Sequence, residues 1–212
     1  MKLRSLSLTV LCVLCLVGSA SAEPGAAFLE GRGGVLIPVG SFGHDQDVGG
    51  AYTIAAGYEF LPFLDGMFEF THAFNDNDDD HDQFRVGDLT FKNDETHQNF
   101  IVALGPRINF LPSTFPVRPY ATVKGGWYHF GNANSIEVNS LGKVSDEDDD
   151  AVGIEAGLGV TGTIFTLYER ENDEIPLFEM TLGVHSSYHH AFMGGRADRE
   201  FVVTMGSVGF RF

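Results

Sequence analysis

The C-terminal segment EFVVTMGSVGFRF, residues 200–212, decides the fold class of this chain. Successive side chains of a β-strand point to opposite faces of the sheet, so alternate residues share a face. The face that includes Phe212 is mostly apolar, and its members are Val202, Thr204, Gly206, Val208, Phe210 and Phe212. The opposite face holds Met205, Ser207, Gly209 and Arg211. This alternation predicts a strand with one apolar face and one small or polar face.

The same period of two recurs in seven further segments, and no segment shows the apolar spacing of an amphipathic helix. The eight predicted strands are Ala26–Pro38, Gly50–Phe60, Gly66–Phe74, His97–Phe110, Val117–Gly131, Ala151–Phe165, Pro176–His190 and Glu200–Phe212. Most of them reach the roughly 9–11 residues that a tilted strand needs to cross a bilayer. Their connections alternate between short turns and longer polar loops, as in outer-membrane barrels. We therefore expect an all-β fold, an eight-stranded antiparallel transmembrane β-barrel.

The apolar face of these strands is predicted to face lipid. By our assignment no Asp, Glu, Lys or Arg lies on it, and aromatic residues such as Tyr58, Trp127 and Tyr188 lie on it near the strand ends. The opposite face is rich in glycine, which permits crowding inside a narrow barrel. A soluble sandwich or lipocalin-like barrel, with its apolar face inside, is the alternative. Pro106 is awkward in a closed wall, so we expect the fourth strand to bend or end near it.

Residues 1–22 have the features of a cleaved signal peptide. Lys2 and Arg4 form a basic start, and Leu6–Val17 is an apolar run too short to span a bilayer as a helix. Small residues follow, so cleavage is expected before Glu23.

The mature chain, residues 23–212, is predicted to be a single barrel domain. It has no cysteine, because Cys12 and Cys15 both lie in the signal segment, and this excludes disulfides, thiol catalysis and cysteine-bound metals. Loss of Lys2 and Arg4 changes the formal net charge from −16 to −18, because 11 of 13 bases remain against 29 acids. Such an acidic chain is unsuited to nucleic acid, so no nucleic-acid partner is expected.

Four motifs carry a family resemblance: Gly33–Pro38 in the first strand, Ala56–Phe60 in the second, Pro119–Tyr120 in the fifth and Val208–Phe212 at the end. They resemble the small outer-membrane β-barrel superfamily of Gram-negative bacteria, the OmpA/OmpX/OmpW-like proteins. The resemblance covers the whole mature chain. It implies location in the outer membrane, contact with its lipid and lipopolysaccharide, and insertion by the barrel-assembly machinery. It does not by itself specify an activity.

The inner face of the predicted barrel carries as many acids as bases. By parity its charged residues are Glu30, Glu59, Glu69, Glu155, Glu179, Arg32, Arg107, Arg118, Lys124 and Arg211. Charges in a narrow lumen are costly unless they are paired, and eight strands leave little room beyond side chains. We therefore expect a charge network that plugs the lumen. The alternatives are that several of these charges are solvated at the rims, or that the barrel is a narrow channel or OmpW-like conduit for small apolar molecules.

Two of the predicted loops are strongly acidic. Their carboxylates are candidate ligands of Ca²⁺ or Mg²⁺, which take oxygen ligands: Asp76, Asp78, Asp80, Asp82, Asp146, Asp148 and Asp150. The spacing resembles an EF-hand only at its start, because the later glycine and glutamate are missing. A solvated acidic face is the preferred interpretation, so neither a specific metal site nor another cofactor is predicted.

One trio of residues resembles a catalytic arrangement. His185, Ser187 and Glu200 resemble the His-x-Ser…Glu pattern of the lipid A deacylase family, in which histidine activates serine for acyl transfer. The Asn-Ala that follows the serine in that family is Tyr188-His189 here, and parity turns the histidine and the serine into the lumen. We therefore predict no catalytic residue, and expect a monomeric barrel with a structural or surface-interaction role.

Overall fold

The chain forms a closed wall of β-strands in a computed structural model, which describes residues 25–40, 47–76, 84–86, 89–112, 115–138, 142–144, 149–168, 177–194 and 197–212. The strands of these residues are β1 (Ala27–Val39), β2 (Gly49–Leu61), β3 (Leu64–Asp76), β4 (Phe84–Val86), β5 (Leu89–Asn109), β6 (Val117–Val138), β7 (Gly142–Val144), β8 (Asp149–Leu167), β9 (Phe178–Phe192) and β10 (Arg199–Arg211). The predicted signal segment lies outside the described residues. No helix within the described ranges is long and apolar enough to cross a membrane.

Eight of the strands pair antiparallel in the order β1, β2, β3, β5, β6, β8, β9 and β10. The last strand then pairs with the first, from Phe28 against Arg211 to Val39 against Glu200, and this pairing closes the barrel. The short strands β4 and β7 pair with the extensions of β5 and β6. The predicted eight-stranded antiparallel barrel is therefore confirmed. Closure leaves no wall strand with a free edge.

The two ends of the barrel differ. Ala27 donates its backbone N–H to Phe212 O over 2.9 Å, so both ends of the described chain lie at one end of the barrel, which we call the terminal end. We call the other end, where β3 connects to β5 and β6 to β8, the loop end.

Burial alternates residue by residue along the wall, as the sequence predicts. In β1 the buried Glu30 and Arg32 alternate with the exposed Leu29, Gly31 and Gly33. The outer surface carries large exposed apolar side chains such as Leu104, Val123, Trp127, Val152 and Leu158. This arrangement is the reverse of a soluble barrel, whose exposed face is polar.

Pro106 lies within its strand and does not shift its register. β5 continues to Asn109, and Pro106 pairs with Gly66 of β3. On the other side, the ladder with β6 is interrupted at Gly105 and Pro106 and resumes at Arg107 in the same register. Because proline lacks only the N–H donor, the strand accommodates it by losing backbone hydrogen bonding on the side of β6 alone.

The outer face also carries charge, contrary to our assignment. Glu200 shares the outward parity of Val202 and lies at the loop end of β10, and Asp150 lies outward at the start of β8. Both lie at strand ends, where side chains leave the apolar part of the wall.

Candidate functional site: the barrel lumen

Five buried charged side chains occupy the middle of the lumen, and we call them the mid-lumen cluster: Glu30, Arg32, Glu69, Lys124 and Glu155. Lys124 Nζ lies 2.6 Å from Glu69 Oε1 and 2.5 Å from Glu155 Oε1. Arg32 donates from Nη1 to Glu69 over 3.1 Å and from Nε to Glu30 over 2.9 Å. The cluster therefore links β1, β3, β6 and β8 across the bore.

A second group of charges lies toward the terminal end, and we call it the terminal ring: Glu59, Asp65, Arg107, Arg118, Glu179 and Arg211. Arg107 donates from Nε to Asp65 Oδ2 over 2.6 Å, and its Nη1 lies 3.4 Å from Glu30 Oε2. Its guanidinium also sits 4.2 Å from the centre of the Phe28 ring, a cation–π contact. Arg107 thus joins the terminal ring to the mid-lumen cluster.

The other half of the terminal ring is built around Glu179. Arg211 contacts Glu59 and donates to Glu179 over 3.3 Å. Arg118 lies further from Glu179, at 3.8 Å. The structure thus places all ten charges assigned to the lumen on the inner face, each within ion-pair distance of an opposite charge.

Asp65 is a lumen charge that the sequence analysis missed. We assigned it to the turn before Gly66, whereas β3 begins at Leu64 and turns Asp65 inward, where it is 2% exposed. It accepts from Arg107 Nε and, over 3.0 Å, from Asn109 Nδ2. Parity with Met67 and Glu69 was the signal that could have found it.

The Asp65→Asn variant is expected to lose about 1.5–3 kcal/mol of stability, because a buried guanidinium loses its closest charged hydrogen-bond partner. Urea unfolding of the protein in phospholipid vesicles, followed by the fluorescence of the sole tryptophan, Trp127, measures the loss. Asp150, whose side chain is 65% exposed on the outer face at the loop end, supplies the control Asp150→Asn, for which a loss below about 1 kcal/mol is expected because exposed ion pairs contribute little. Equal effects of the two substitutions would contradict the buried pairing.

An apolar layer fills the lumen toward the loop end, and we call it the apolar layer. Its members are Leu36, Ala51, Ala73, Ile101, Ala103, Tyr128, Phe130, Ala151, Ala191, Phe201, Val203 and Met205. Phe201 stacks on His189 with ring centres 4.7 Å apart and meets the Tyr128 ring edge-on at 6.3 Å. The sequence analysis described the inner face as small and charged, and it overlooked that Tyr128 and Phe201 share the inward parity.

The residues of the deacylase-like trio do not come together. His185 and Ser187 face the lumen, whereas Glu200 lies on the outer face and contacts His190, with Oε1 3.0 Å from Nδ1. Ser187 Oγ instead lies 2.9 Å from His189 Nε2. The wall separates Glu200 from the other two residues, so this trio forms no catalytic arrangement.

Ser187 and His189 nevertheless form a hydrogen-bonded chain with Tyr128. The Tyr128 hydroxyl lies 3.3 Å from the carbonyl oxygen of Ile154 and 3.2 Å from His189 Nδ1, and His189 Nε2 lies 2.9 Å from Ser187 Oγ. When Tyr128 donates to the carbonyl, the Nδ1–H tautomer of His189 donates to Tyr128 and its Nε2 accepts from Ser187. This is the donor order of a serine activated by a base. Phe201 covers His189, however, and Ser187 is 5% exposed, so the pair lies in a packed interior.

The loop-end rim pairs histidines with acids on the outer face. His129 Nδ1 lies 2.8 Å from Asp150 Oδ1, and His190 Nε2 lies 3.2 Å from Asp198 Oδ2. Of the seven candidate cation ligands, only Asp150 has a described side chain. The side chain of Asp76 and all of Asp78, Asp80, Asp82, Asp146 and Asp148 lie outside the described residues. Within the described ranges, no group of three or more His, Cys, Asp or Glu side chains has metal-binding geometry.

Comparisons with known proteins agree with this architecture. The family model described as outer membrane protein beta-barrel domain matches residues 11–163. No curated protein matches the chain.

Several solved structures are similar to this chain. OprG from Pseudomonas aeruginosa has a TM-score of 0.54 at 12% identity, over 89% of this chain and 96% of that chain. Ail of Yersinia pestis, solved with the heparin analogue sucrose octasulfate, has a TM-score of 0.49 at 14% identity, over 90% and 100% of the two chains. Neisserial surface protein A has a TM-score of 0.48 at 13% identity, over 88% and 95%. At these identities the likeness concerns the fold alone.

Proposed function

The chain belongs to the outer membrane protein β-barrel domain family, and we propose that within the Gram-negative outer membrane it is a closed, non-enzymatic barrel with a structural or surface-interaction role. We also propose that it reaches the membrane after signal-peptide cleavage, is inserted by the barrel-assembly machinery as a monomer, and contacts lipid and lipopolysaccharide. The closed-barrel proposal rests on the observation that ion pairs and an apolar layer fill successive parts of the lumen.

The ion pairs and the apolar layer obstruct different solutes. Lys124 is fully buried between Glu69 and Glu155, so hydrated ions meet paired charges rather than a water-lined path. Small apolar molecules could enter the apolar layer at the loop end, but they would then meet the mid-lumen cluster. With the bore closed, interactions with partners fall to the outer wall and to the long acidic loops.

Planar-bilayer recording tests the closed barrel. The purified protein is expected to give no sustained conductance, and the same preparation run on a known porin controls for insertion. A steady ohmic channel in every insertion would overturn the proposal. The conduit alternative predicts that vesicles containing the protein take up a small apolar dye faster than empty vesicles, whereas we expect equal rates.

A separate measurement addresses the enzyme alternative. Expression of the protein in a Gram-negative host is expected to leave the mass spectrum of lipid A unchanged. If a new lipid A mass appears and the Ser187→Ala variant abolishes it, the non-enzymatic role is wrong.

A further inference from the structure

The charges of the mid-lumen cluster and of the terminal ring are unevenly divided between these two levels. In the terminal ring three acids, Glu59, Asp65 and Glu179, face three bases, Arg107, Arg118 and Arg211. Arg107 is counted here because it lies 2.6 Å from Asp65 but 3.4 Å from Glu30. In the mid-lumen cluster three acids face only two bases, so full ionisation would leave one uncompensated negative charge. Because an uncompensated charge is costly in a buried site, such sites are neutralised by a bound cation or by a proton.

A buried imidazole stands beside this excess charge. His185, which is 2% exposed, places Nε2 at 3.5 Å from Glu155 Oε1, and neither of its ring nitrogens makes a hydrogen bond among the described residues. The second carboxylate oxygen of Glu155 has no hydrogen-bond partner there either. The Tyr120 ring stacks on His185 at 5.7 Å, a position that suits an imidazolium. A proton between Glu155 and His185 would therefore give His185 Nε2 the hydrogen-bond partner that it otherwise lacks.

The charged and titratable groups around this point come from six strands. They are Glu30 and Arg32 of β1, Glu69 of β3, Arg107 of β5, Tyr120, Lys124 and Tyr128 of β6, Glu155 of β8, and His185 and His189 of β9. At the same level β2 contributes Thr53 and β10 contributes Met205, neither of which is charged. Among the described residues, the bases within ion-pair distance of Glu69 or Glu155 are Arg32, Lys124 and His185.

We infer that the mid-lumen cluster and His185 form a binding site for one proton, which Glu69, Glu155 and His185 share in the folded barrel at neutral pH. In the unfolded chain a glutamate titrates near pH 4.3 and a histidine near pH 6.5, so at pH 7 and above this proton is taken up on folding. When the folded state binds the extra proton, stability falls as pH rises, by up to about tenfold in the folding equilibrium constant per pH unit. The fall ends at the pH where the folded cluster releases the proton.

Urea unfolding in vesicles between pH 7 and pH 9.5 tests the site, with Trp127 fluorescence as the readout. The wild-type folding constant is expected to fall across this range. Glu69→Gln and Glu155→Gln each remove one acid of the cluster and keep an oxygen acceptor, so both variants are expected to lose most of the slope. The slope itself is the readout, and a uniform loss of stability does not change it.

Glu179→Gln is the matched control, because it removes one acid from the balanced terminal ring and changes the total lumen charge by the same amount. We expect this variant to keep the wild-type slope. If it flattens the slope as much as Glu155→Gln does, or if wild-type stability does not vary with pH, the proton site is overturned. If Glu69→Gln or Glu155→Gln does not fold, the pH dependence of stability is still measured in the wild type and in Glu179→Gln. The proton site then requires that both of these proteins lose stability as pH rises.

Discussion

The Lys124→Met variant is expected to lose about 3–5 kcal/mol of stability, because it leaves two buried carboxylates without their shared cation. Lys124 is among the most deeply buried side chains of the barrel, and its ammonium approaches both Glu69 and Glu155 within 2.6 Å. Methionine keeps a similar length and an apolar stem, so the change mostly removes charge. Urea unfolding in vesicles measures the difference in the free energy of unfolding.

The compensating variant separates charge from packing. In Lys124→Met combined with Glu69→Gln and Glu155→Gln, no carboxylate at this point is left without a partner cation. Because replacement of a whole buried ion cluster by neutral residues is often close to neutral, most of the lost stability is expected to return. If the triple variant is no more stable than Lys124→Met, packing rather than charge explains the loss. A loss below about 1 kcal/mol in Lys124→Met would contradict the ion pairs themselves.

The sequence predicted the wall and the inner face well, because both depend on a period of two. The inward direction of Lys124 follows from the outward direction of Val123 and Trp127, whatever the partners are. Asp65 was missed for a related reason. The period says nothing about where a strand begins, and the predicted start at Gly66, two residues after the observed start at Leu64, removed Asp65 from the inner face.

The partners inside the lumen could not be predicted in the same way. Parity specifies the face of a residue but not its level along the barrel axis, which depends on the stagger between strands. Lys124 and Glu69 lie on strands that are not neighbours in the wall, so no local pattern relates them. The apolar layer could have been predicted, since Tyr128 and Phe201 share the inward parity, but we overlooked it because we expected a polar lumen.

A second large loss of stability is expected from crowding at the seam where β1 pairs with β10. Gly34 faces inward opposite Met205, and a Cβ atom placed on it would lie 2.0 Å from the carbonyl oxygen of Thr204 and 2.6 Å from Met205 Cα. Both contacts are with backbone, so no side-chain rotation relieves them. Gly34→Val is therefore expected to cost at least about 3 kcal/mol, the upper part of the usual range for overpacking.

Gly33 is the matched control for this substitution. It is the neighbouring residue of the same strand, it faces outward opposite Gly206, and a Cβ atom placed on it meets nothing within 4 Å. Valine favours strands and suits a lipid-facing surface, so Gly33→Val is expected to change stability by less than about 0.5 kcal/mol. The fraction of closed barrel on unheated SDS gels and urea unfolding measure both variants.

The comparison tests how the barrel closes. If inward crowding limits the seam, only Gly34→Val prevents the final strand from pairing with the first, and the protein migrates as an unfolded chain. If both variants fail equally, the seam requires backbone flexibility at each glycine, and steric closure is the wrong explanation. Gly105 offers an independent check on β5, because a Cβ there would lie 2.2 Å from the carbonyl oxygen of Val123 on the next wall strand. Gly105→Val is therefore expected to behave like Gly34→Val, since the curvature of a narrow barrel brings inward-facing positions close together all around the wall.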